Sequence, residues 1–280
     1  MSQDAVGSDR ATALRFPRSA AVPSADPEGP GVAVRLRGLA KSFSRASSSA
    51  PVLQGIDLDV ASGEFVCLLG ASGCGKSTLL NLIAGLEAPT RGQVHVAGGR
   101  PALMFQDAAL FPWLSASRNV ELALRLCGVP RRERQPEAAR LLTLVRLAGV
   151  GDRRVHELSG GMRQRVALAR ALAQRSRVLL MDEPFAALDA ITRDVLHEEL
   201  LRIWACTKLS IVFVTHNVTE AVQLGQRLVL LSSRPGRVVQ EWRPGADRSG
   251  PSAARLVAEI TGRLRAEISQ HAAPQPAVGA

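Results

Sequence analysis

The sequence has no tyrosine and only three lysines, Lys41, Lys76 and Lys208, among its 280 residues. Arginine therefore supplies nearly all of the positive side chains, which makes the position of each lysine informative. No run approaches 18 consecutive apolar residues, so we expect no membrane-spanning helix. The first residues lack an apolar core of about 7–15 residues, so they do not predict a secretory signal peptide.

Cysteine is also scarce, with four residues at Cys67, Cys74, Cys127 and Cys206. No two of them form a Cys-x-x-Cys pair, so their spacing supports neither a zinc site nor a disulfide framework. We therefore expect the cysteines to be small packing residues in a reducing compartment.

The net charge of +10 is compatible with nucleic acid or an anionic membrane surface as a partner. The chain has one tight basic run, residues 131–134, and no aromatic residues are interleaved with it. The charge alone does not separate these partners from an ordinary solvated surface. With 46% hydrophobic residues, the chain is long enough for one large domain with tails or for two small domains.

The most informative stretch is GASGCGKST at residues 70–78, which matches a glycine, four residues and then Gly-Lys-Ser. A chance match to its two glycines and its lysine is expected about 0.02 times in a chain of this composition. An apolar run precedes it and a helix-like run follows, which is the context that a phosphate-binding loop requires. Glycines leave backbone N–H groups free to surround an anion, Lys76 can reach the β- and γ-phosphates of a nucleotide, and Ser77 can bind Mg²⁺.

Hydrophobic periodicity predicts alternating strands and helices along the chain. Strands are predicted at 32–39, 52–60, 64–69, 93–97, 101–106, 178–182, 211–215, 228–231 and 237–242. Helices are predicted at 79–85, 119–126, 136–147, 161–173, 192–204, 220–224 and 252–268. This order predicts an α/β P-loop domain with a mostly parallel core sheet and a helical subdomain at about 107–174.

The ends of the chain and one internal stretch predict little regular structure. Residues 1–30 have no apolar period and predict a disordered N-terminal tail. The serine-rich residues 44–49 predict a loop. Residues 244–280 predict a C-terminal extension that is partly helical and then disordered.

The predicted strand at 178–182 ends in Asp182, and Glu183 follows it. A carboxylate at the carboxyl edge of a parallel sheet lies beside phosphates bound at that edge. We expect Asp182 to hold Mg²⁺ directly or through water, and Glu183 to reach the water that attacks the γ-phosphate.

The motifs around this strand resemble those of the ATP-binding cassette (ABC) transporter family. LSGGMRQR at 158–165 matches the family signature, Gln106 the Q-loop glutamine, ALD at 187–189 the D-loop and His216 the switch histidine. Phe43 stands where the family has an adenine-stacking aromatic residue, usually tyrosine. Phenylalanine supplies the same stacking face without the hydroxyl group.

The resemblance covers about residues 31–243 and implies an ABC ATPase domain whose P-loop fold includes an antiparallel β subdomain, with ATP and Mg²⁺ as ligands. The implied catalytic residues are Glu183, His216, Lys76 and Gln106. The implied ATP contacts are Phe43, Gly70, Ala71, Ser72, Gly73, Cys74, Gly75, Lys76, Ser77, Thr78, Ser159, Gly160, Gly161 and Asp189. The implied Mg²⁺ ligands are Ser77, Gln106 and Asp182.

The resemblance also implies partners. Two cassettes, expected to be identical copies, would pair head to tail, so that each γ-phosphate links Lys76 and His216 of one copy to Ser159, Gly160 and Gly161 of the other. Integral membrane permease subunits would join them, and a periplasmic or lipid-anchored solute-binding protein would act indirectly. The chain would lie at the cytoplasmic face of the membrane as a peripheral subunit, and no nucleic-acid partner is expected.

The apolar stretch at 108–113 has two interpretations. By the resemblance, it borders the groove that receives a coupling helix of the membrane subunit, which requires a solvent-side patch. Alternatively, Phe111 and Trp113 are core residues of the helical subdomain.

Three stretches look like the nitrate/sulfonate/taurine importer group: residues 105–113, 182–194 and 231–237. Within this group we favour import of aliphatic sulfonates. Nitrate, taurine and a thiamine precursor stay open because the solute does not contact this subunit.

A DNA-repair or chromosome ATPase is disfavoured because no heptads separate Gln106 from the signature, and a translation-associated protein is disfavoured because only one cassette is present.

Overall fold

The computed structural model describes residues 31–43 and 51–272. The strands are β1 (Val32–Lys41), β2 (Leu53–Ala61), β3 (Phe65–Leu69), β4 (Arg91–Val96), β5 (Ala102–Met104), β6 (Val178–Asp182), β7 (Ser210–Val214), β8 (Arg227–Leu231) and β9 (Val238–Trp242). The helices are α1 (Lys76–Ile83), α2 (Ala116–Leu126), α3 (Arg131–Leu144), α4 (Gly160–Leu172), α5 (Ala190–Thr207), α6 (Val218–Leu224) and α7 (Pro251–Ala272), with one 3₁₀ turn, Val155–Glu157. The tail predicted at 1–30, the loop predicted at 44–49 and the chain end at 273–280 lie outside the described residues.

The core is a six-stranded sheet in the order β5–β6–β7–β3–β8–β9. All of its neighbouring strands pair in parallel except β8 and β9, which are antiparallel. The strands β3, β7 and β8 are buried along their whole length, which explains why all of β3, and all of β7 and β8 except their first residues, is apolar rather than alternating. The predicted α/β fold with a mostly parallel core sheet is confirmed.

A second, smaller sheet has the order β2–β1–β4 and is antiparallel throughout. Its strand β2 alternates buried and exposed residues, as a sheet with one face on the core requires. This sheet is the antiparallel β subdomain that the family resemblance implies.

The helical subdomain consists of α2, α3 and α4, which pack against one another, and α4 also contacts β5. The start of α3 was predicted at residue 136, and this boundary is wrong, because the helix begins at Arg131. Its first five residues are all polar and mostly exposed, so no apolar period marks them, and the first buried residue is Ala138.

Two of the four cysteines differ from the prediction. Cys67 and Cys74 are buried packing residues, whereas Cys127 and Cys206 are exposed. Cys127 caps the end of α2 and Cys206 lies in the last turn of α5. Both cysteines are thus exposed at a helix C-terminus. All four are free thiols.

The register of the core sheet determines where the functional loops meet. Met104 of β5 pairs with Met181 of β6, which pairs with Phe213 of β7, which pairs with Cys67 of β3. Because these strands are parallel, the residues that follow each of them emerge at one edge of the sheet. Among the described helices, none has both the length and the apolar composition needed to cross a membrane.

Candidate active site

The phosphate loop, residues 70–75, joins the buried strand β3 to the first residue of α1. Gly73 and Gly75 have φ angles of 77° and 102°, a backbone region that favours glycine. A Cβ atom on Gly75 would also lie 2.7 Å from Leu53 Cδ2. The local sequence therefore folds as a tight turn whose backbone N–H groups and helix start can face an anion.

Lys76 is the first residue of α1, and its side chain is almost completely buried, with 6% exposure. Its ammonium group donates to the carbonyl oxygens of Gly70 at 2.8 Å and Ala71 at 2.9 Å. These bonds hold the positive charge across the phosphate loop, where phosphate oxygens can replace the carbonyl acceptors.

Ser77 and Asp182 contact each other, although they come from α1 and the end of β6. The pKa of Asp182 is raised, mainly because the carboxyl group is buried. The hydrogen bond from Ser77 lowers this pKa, the negative charge of Glu183 raises it, and the positive charge of Lys76 lowers it. A hydroxyl beside a carboxylate is an oxygen donor set of the kind Mg²⁺ prefers. Among the described residues, no group of three or more His, Cys, Asp or Glu side chains is arranged so that it could hold a metal ion.

Glu183 and His216 are in direct contact, with Glu183 Oε2 3.0 Å from His216 Nδ1. The Glu183 backbone has a left-handed φ of 44°, which is unusual for a residue with a side chain. Its N–H donates to the Val214 carbonyl at 3.0 Å, which ties this conformation to the end of β7. The strained backbone thus places the carboxylate beside the His216 ring.

A buried polar network lies directly beneath His216. Glu220 accepts hydrogen bonds from the Thr215 hydroxyl and from His197 Nε2, the latter at 2.7 Å, and all three residues are buried. No sequence motif predicted this network. The pattern Asn217-x-x-Glu220 is typical of a capping box, but only Asn217 caps α6, since the Glu220 carboxylate turns inward to Thr215 and His197.

The signature and the D-loop form a second cluster. Ser159 caps α4 by accepting from Met162 N at 3.3 Å, and Asp189 caps α5 by accepting from Thr192 N at 2.9 Å. That bond from the Thr192 backbone lowers the pKa of Asp189. A Cβ atom on Gly161 would lie 2.6 Å from Thr192 Cγ2, so glycine is required where the two helix starts meet.

The signature cluster and the phosphate loop lie on different structural elements of the chain. The signature helix α4 packs on α2, α3, α5 and β5, whereas α1, which follows the phosphate loop, packs on β4 and β6. Gln106 follows β5 at the shared sheet edge; its carbonyl accepts from Gln164 Nε2 at 2.8 Å, and its side chain is exposed.

The predicted adenine platform, Phe43, is 62% exposed. The Lys41 ammonium lies 4.9 Å from the centroid of its ring. A cation on one face leaves the other face of the ring for a nucleotide base.

Of the two interpretations of residues 108–113, the alternative that makes Phe111 and Trp113 core residues is wrong, and the solvent-side patch agrees with the structure. Their side chains are 37% and 67% exposed, and their ring centroids are 5.4 Å apart. Phe105, in the same part of the chain, is 44% exposed. We call Phe111 and Trp113, whose rings are in contact, the aromatic patch.

A glycine loop between a buried parallel strand and a helix, with a lysine at the helix start and an aspartate on a nearby strand, defines a P-loop nucleotide-binding protein. Residues 53–186 match the model of the family described as ABC transporter. The chain belongs to the ABC transporter family, and it is an ATPase of that class.

Two curated relatives place the chain within the family. It is 49% identical over 207 residues to the taurine import ATP-binding protein TauB of Mesorhizobium japonicum, covering 71% of this chain and 80% of that protein. It is 47% identical over 210 residues to the nitrate import ATP-binding protein NrtD of Synechocystis sp., covering 72% of this chain and 79% of that protein. The predicted resemblance to the importer group that includes these proteins is confirmed.

A solved structure shares the fold. The dimeric post-hydrolysis state of the ATP-binding cassette MJ0796, bound to ADP and Pi, superposes with a TM-score of 0.66 at 30% identity. The match covers 76% of this chain and all of that one.

Proposed function

We propose that the chain is the ATP-hydrolysing subunit of an importer for small oxyanionic solutes, with taurine as the first candidate. The observation that carries this proposal is the similarity, at 47–50% identity over about four fifths of their length, to proteins named for taurine and nitrate import. The sequence favoured aliphatic sulfonates and kept taurine as an alternative, and the similarity to TauB is the reason that taurine is now placed first. Nitrate is the second candidate because of the NrtD similarity.

We place the nucleotide on the phosphate loop. Backbone N–H groups of residues 70–78 and the Lys76 ammonium would bind its phosphates, and the face of the Phe43 ring opposite Lys41 would stack on its base. Ser77 and Asp182, with Gln106 from the loop that follows the neighbouring strand β5, would hold Mg²⁺. When bound, Mg²⁺ neutralises phosphate charge.

Three residues at the sheet edge would have separate roles in hydrolysis. Glu183 would accept the proton of the attacking water, which its 23% exposed side chain can reach. His216, held over the buried Thr215–Glu220 contact, would orient Glu183 and donate to the γ-phosphate. Lys76 would stabilise the negative charge that develops on the phosphoryl oxygens.

Two copies are needed to complete the site. The signature residues Ser159, Gly160 and Gly161 belong to the second cluster, which lies on other elements than the phosphate loop, and we assign them to the nucleotide of the partner copy. A helix start is a ready anion site, so the signature of one copy can bind the γ-phosphate held by the other. Asp189, which caps α5, would border the same interface between the two copies.

The aromatic patch is the proposed contact with the membrane permease. Exposed aromatic rings on a surface are typical interface anchors. By this contact the subunit would lie at the cytoplasmic face of the membrane, and a solute-binding protein would act through the permease rather than on this chain.

Replacing Trp113 with alanine is expected to reduce the fraction of the chain recovered with its permease by about tenfold or more, because an interface anchor contributes about 2 kcal/mol. The measurement is co-purification from detergent-solubilised membranes. Leu126→Ala is the matched control, since Leu126 is 80% exposed on α2 outside the patch. Equal recovery of wild type and Trp113→Ala would remove the patch from this role.

Deleting the gene is expected to abolish growth when taurine is the sole sulfur source and to leave growth on sulfate unchanged. Nitrate as sole nitrogen source and an unsubstituted alkanesulfonate are tested in parallel. The wild-type gene should restore growth, and the Lys76→Ala variant should not. Undiminished growth on all three solutes would contradict the proposal, and a defect on nitrate alone would favour the second candidate.

A further inference from the structure

The turn between β8 and β9, residues 232–237, has no part in the hydrolysis just described, although its sequence SSRPGR helped to identify the importer group. In the structure this turn lies against the phosphate loop. The Arg234 guanidinium donates from Nε to the Gly73 carbonyl at 3.1 Å. A Cβ atom on Gly236 would lie 2.4 Å from the Cys74 carbonyl, so glycine is required for this close approach.

The turn is rigidly held. Ser232 Oγ donates to the Pro235 carbonyl at 2.6 Å and accepts from the Arg237 backbone N–H at 2.9 Å. Gly236 donates to the Val52 carbonyl at 2.8 Å, which ties the turn to the antiparallel sheet. A turn held by these hydrogen bonds can fix the position of the phosphate loop that it contacts.

The turn is also anchored at the helix that ends the described chain. Ser233 Oγ donates to the Glu267 carbonyl of α7 at 3.3 Å. The phosphate loop is therefore backed by a turn that is itself attached to two other elements.

Arg234 brings charge as well as support. Its side chain is exposed, and within the described residues it forms no ion pair with a carboxylate. Its guanidinium is close enough to the loop that NH2 would be 3.2 Å from a Cβ atom on Gly73. An uncompensated cation at a phosphate-binding loop attracts a polyanion, and salt screens this effect.

We propose that Arg234 is a positioning residue for nucleotide binding. By holding the Gly73 carbonyl, it keeps the phosphate loop in the conformation whose N–H groups face the nucleotide, and its charge adds to that of Lys76. The proposal rests on the nucleotide site of the proposed function. Since Arg234 contacts the loop and not the reacting atoms, its loss weakens ATP binding and leaves the rate at saturating ATP unchanged.

The test compares ATP dissociation constants and steady-state hydrolysis of the full chain with Arg234→Gln and Arg234→Lys. Loss of one charged hydrogen bond in an exposed setting is expected to weaken ATP binding by about 3- to 10-fold. The KM for ATP should rise by the same factor, with kcat within about twofold of wild type. Arg234→Lys should recover part of the affinity, and the difference between wild type and Arg234→Gln should shrink between low and high salt.

Arg237→Gln is the matched control, because Arg237 lies in the same turn but bonds to the Gln54 side chain instead of the phosphate loop. It should bind ATP as wild type does. Wild-type affinity in Arg234→Gln, or the same loss in Arg237→Gln, would overturn the proposal. Failure of the wild-type chain itself to bind ATP would overturn the nucleotide site and the role of Arg234 with it, so the two failures are distinguishable.

Discussion

Replacing Glu183 with glutamine is expected to slow ATP hydrolysis by about 10²–10⁴-fold, the usual effect of losing a general base. Glutamine has the same shape as glutamate but cannot accept the proton of the attacking water. The contact with His216 Nδ1 at 3.0 Å and the left-handed backbone at Glu183 remain available to the amide. ATP affinity should therefore be retained while turnover is lost.

The measurement is phosphate release at saturating ATP and Mg²⁺, with ATP binding followed separately. Glu137→Gln is the matched control, because the Glu137 side chain is 18% exposed, close to the 23% of Glu183, and pairs with Arg140 on α3, away from the sheet edge. It should hydrolyse ATP normally. Near-normal turnover in Glu183→Gln would remove Glu183 from the role of general base.

Replacing Lys76 with alanine is expected to weaken ATP binding by about 10- to 100-fold, which corresponds to the loss of charge-assisted hydrogen bonds. The buried ammonium is held inside the phosphate loop by the Gly70 and Ala71 carbonyls. Removing it takes away the central positive charge of the loop and leaves both carbonyls without that donor. The measurement is equilibrium binding of a fluorescent ATP analogue.

Lys208 provides the control for Lys76. It lies at the end of α5 in a left-handed conformation with φ of 55°, and its ammonium lies over the Trp204 ring. Lys208→Asn removes the charge while keeping a residue that tolerates this backbone, and ATP affinity should stay at the wild-type value. If Lys76→Ala bound ATP as tightly as wild type, the assignment of the phosphate loop would be wrong.

Hydrophobic periodicity and loop motifs predicted most of the fold, because strands, helices and glycine-rich loops are specified largely by residues that are close in sequence. The run that became β6, Val178–Asp182, was predicted with the same bounds, since a continuous apolar run of this length fits a buried strand and is too short for a typical helix. The start of α3 was missed because its first residues carry no apolar period. The exposure of Trp113 was left open, since an aromatic residue beside a helix fits a core and an interface equally well.

The sequence motifs predicted the residues of the candidate site, but they did not predict the contacts that support those residues. The left-handed Glu183, the Glu220 carboxylate between His197 and Thr215, and the Arg234 contact with Gly73 all depend on tertiary packing. A residue such as Arg234 lies far along the chain from the loop it touches, and nothing in its local sequence specifies that neighbour. Local motifs therefore predict which residues are present at the site, and packing determines which of them support one another.

The most direct test of the whole account is the mass of the Glu183→Gln chain in solution with ATP and Mg²⁺, measured by light scattering during gel filtration. The account predicts about twice the 29.8 kDa chain mass with ATP and the single-chain mass with ADP. Introducing Ser159→Arg at the signature should keep the ATP-bound chain monomeric. A Glu183→Gln chain that binds ATP and stays monomeric would contradict a site completed by two copies.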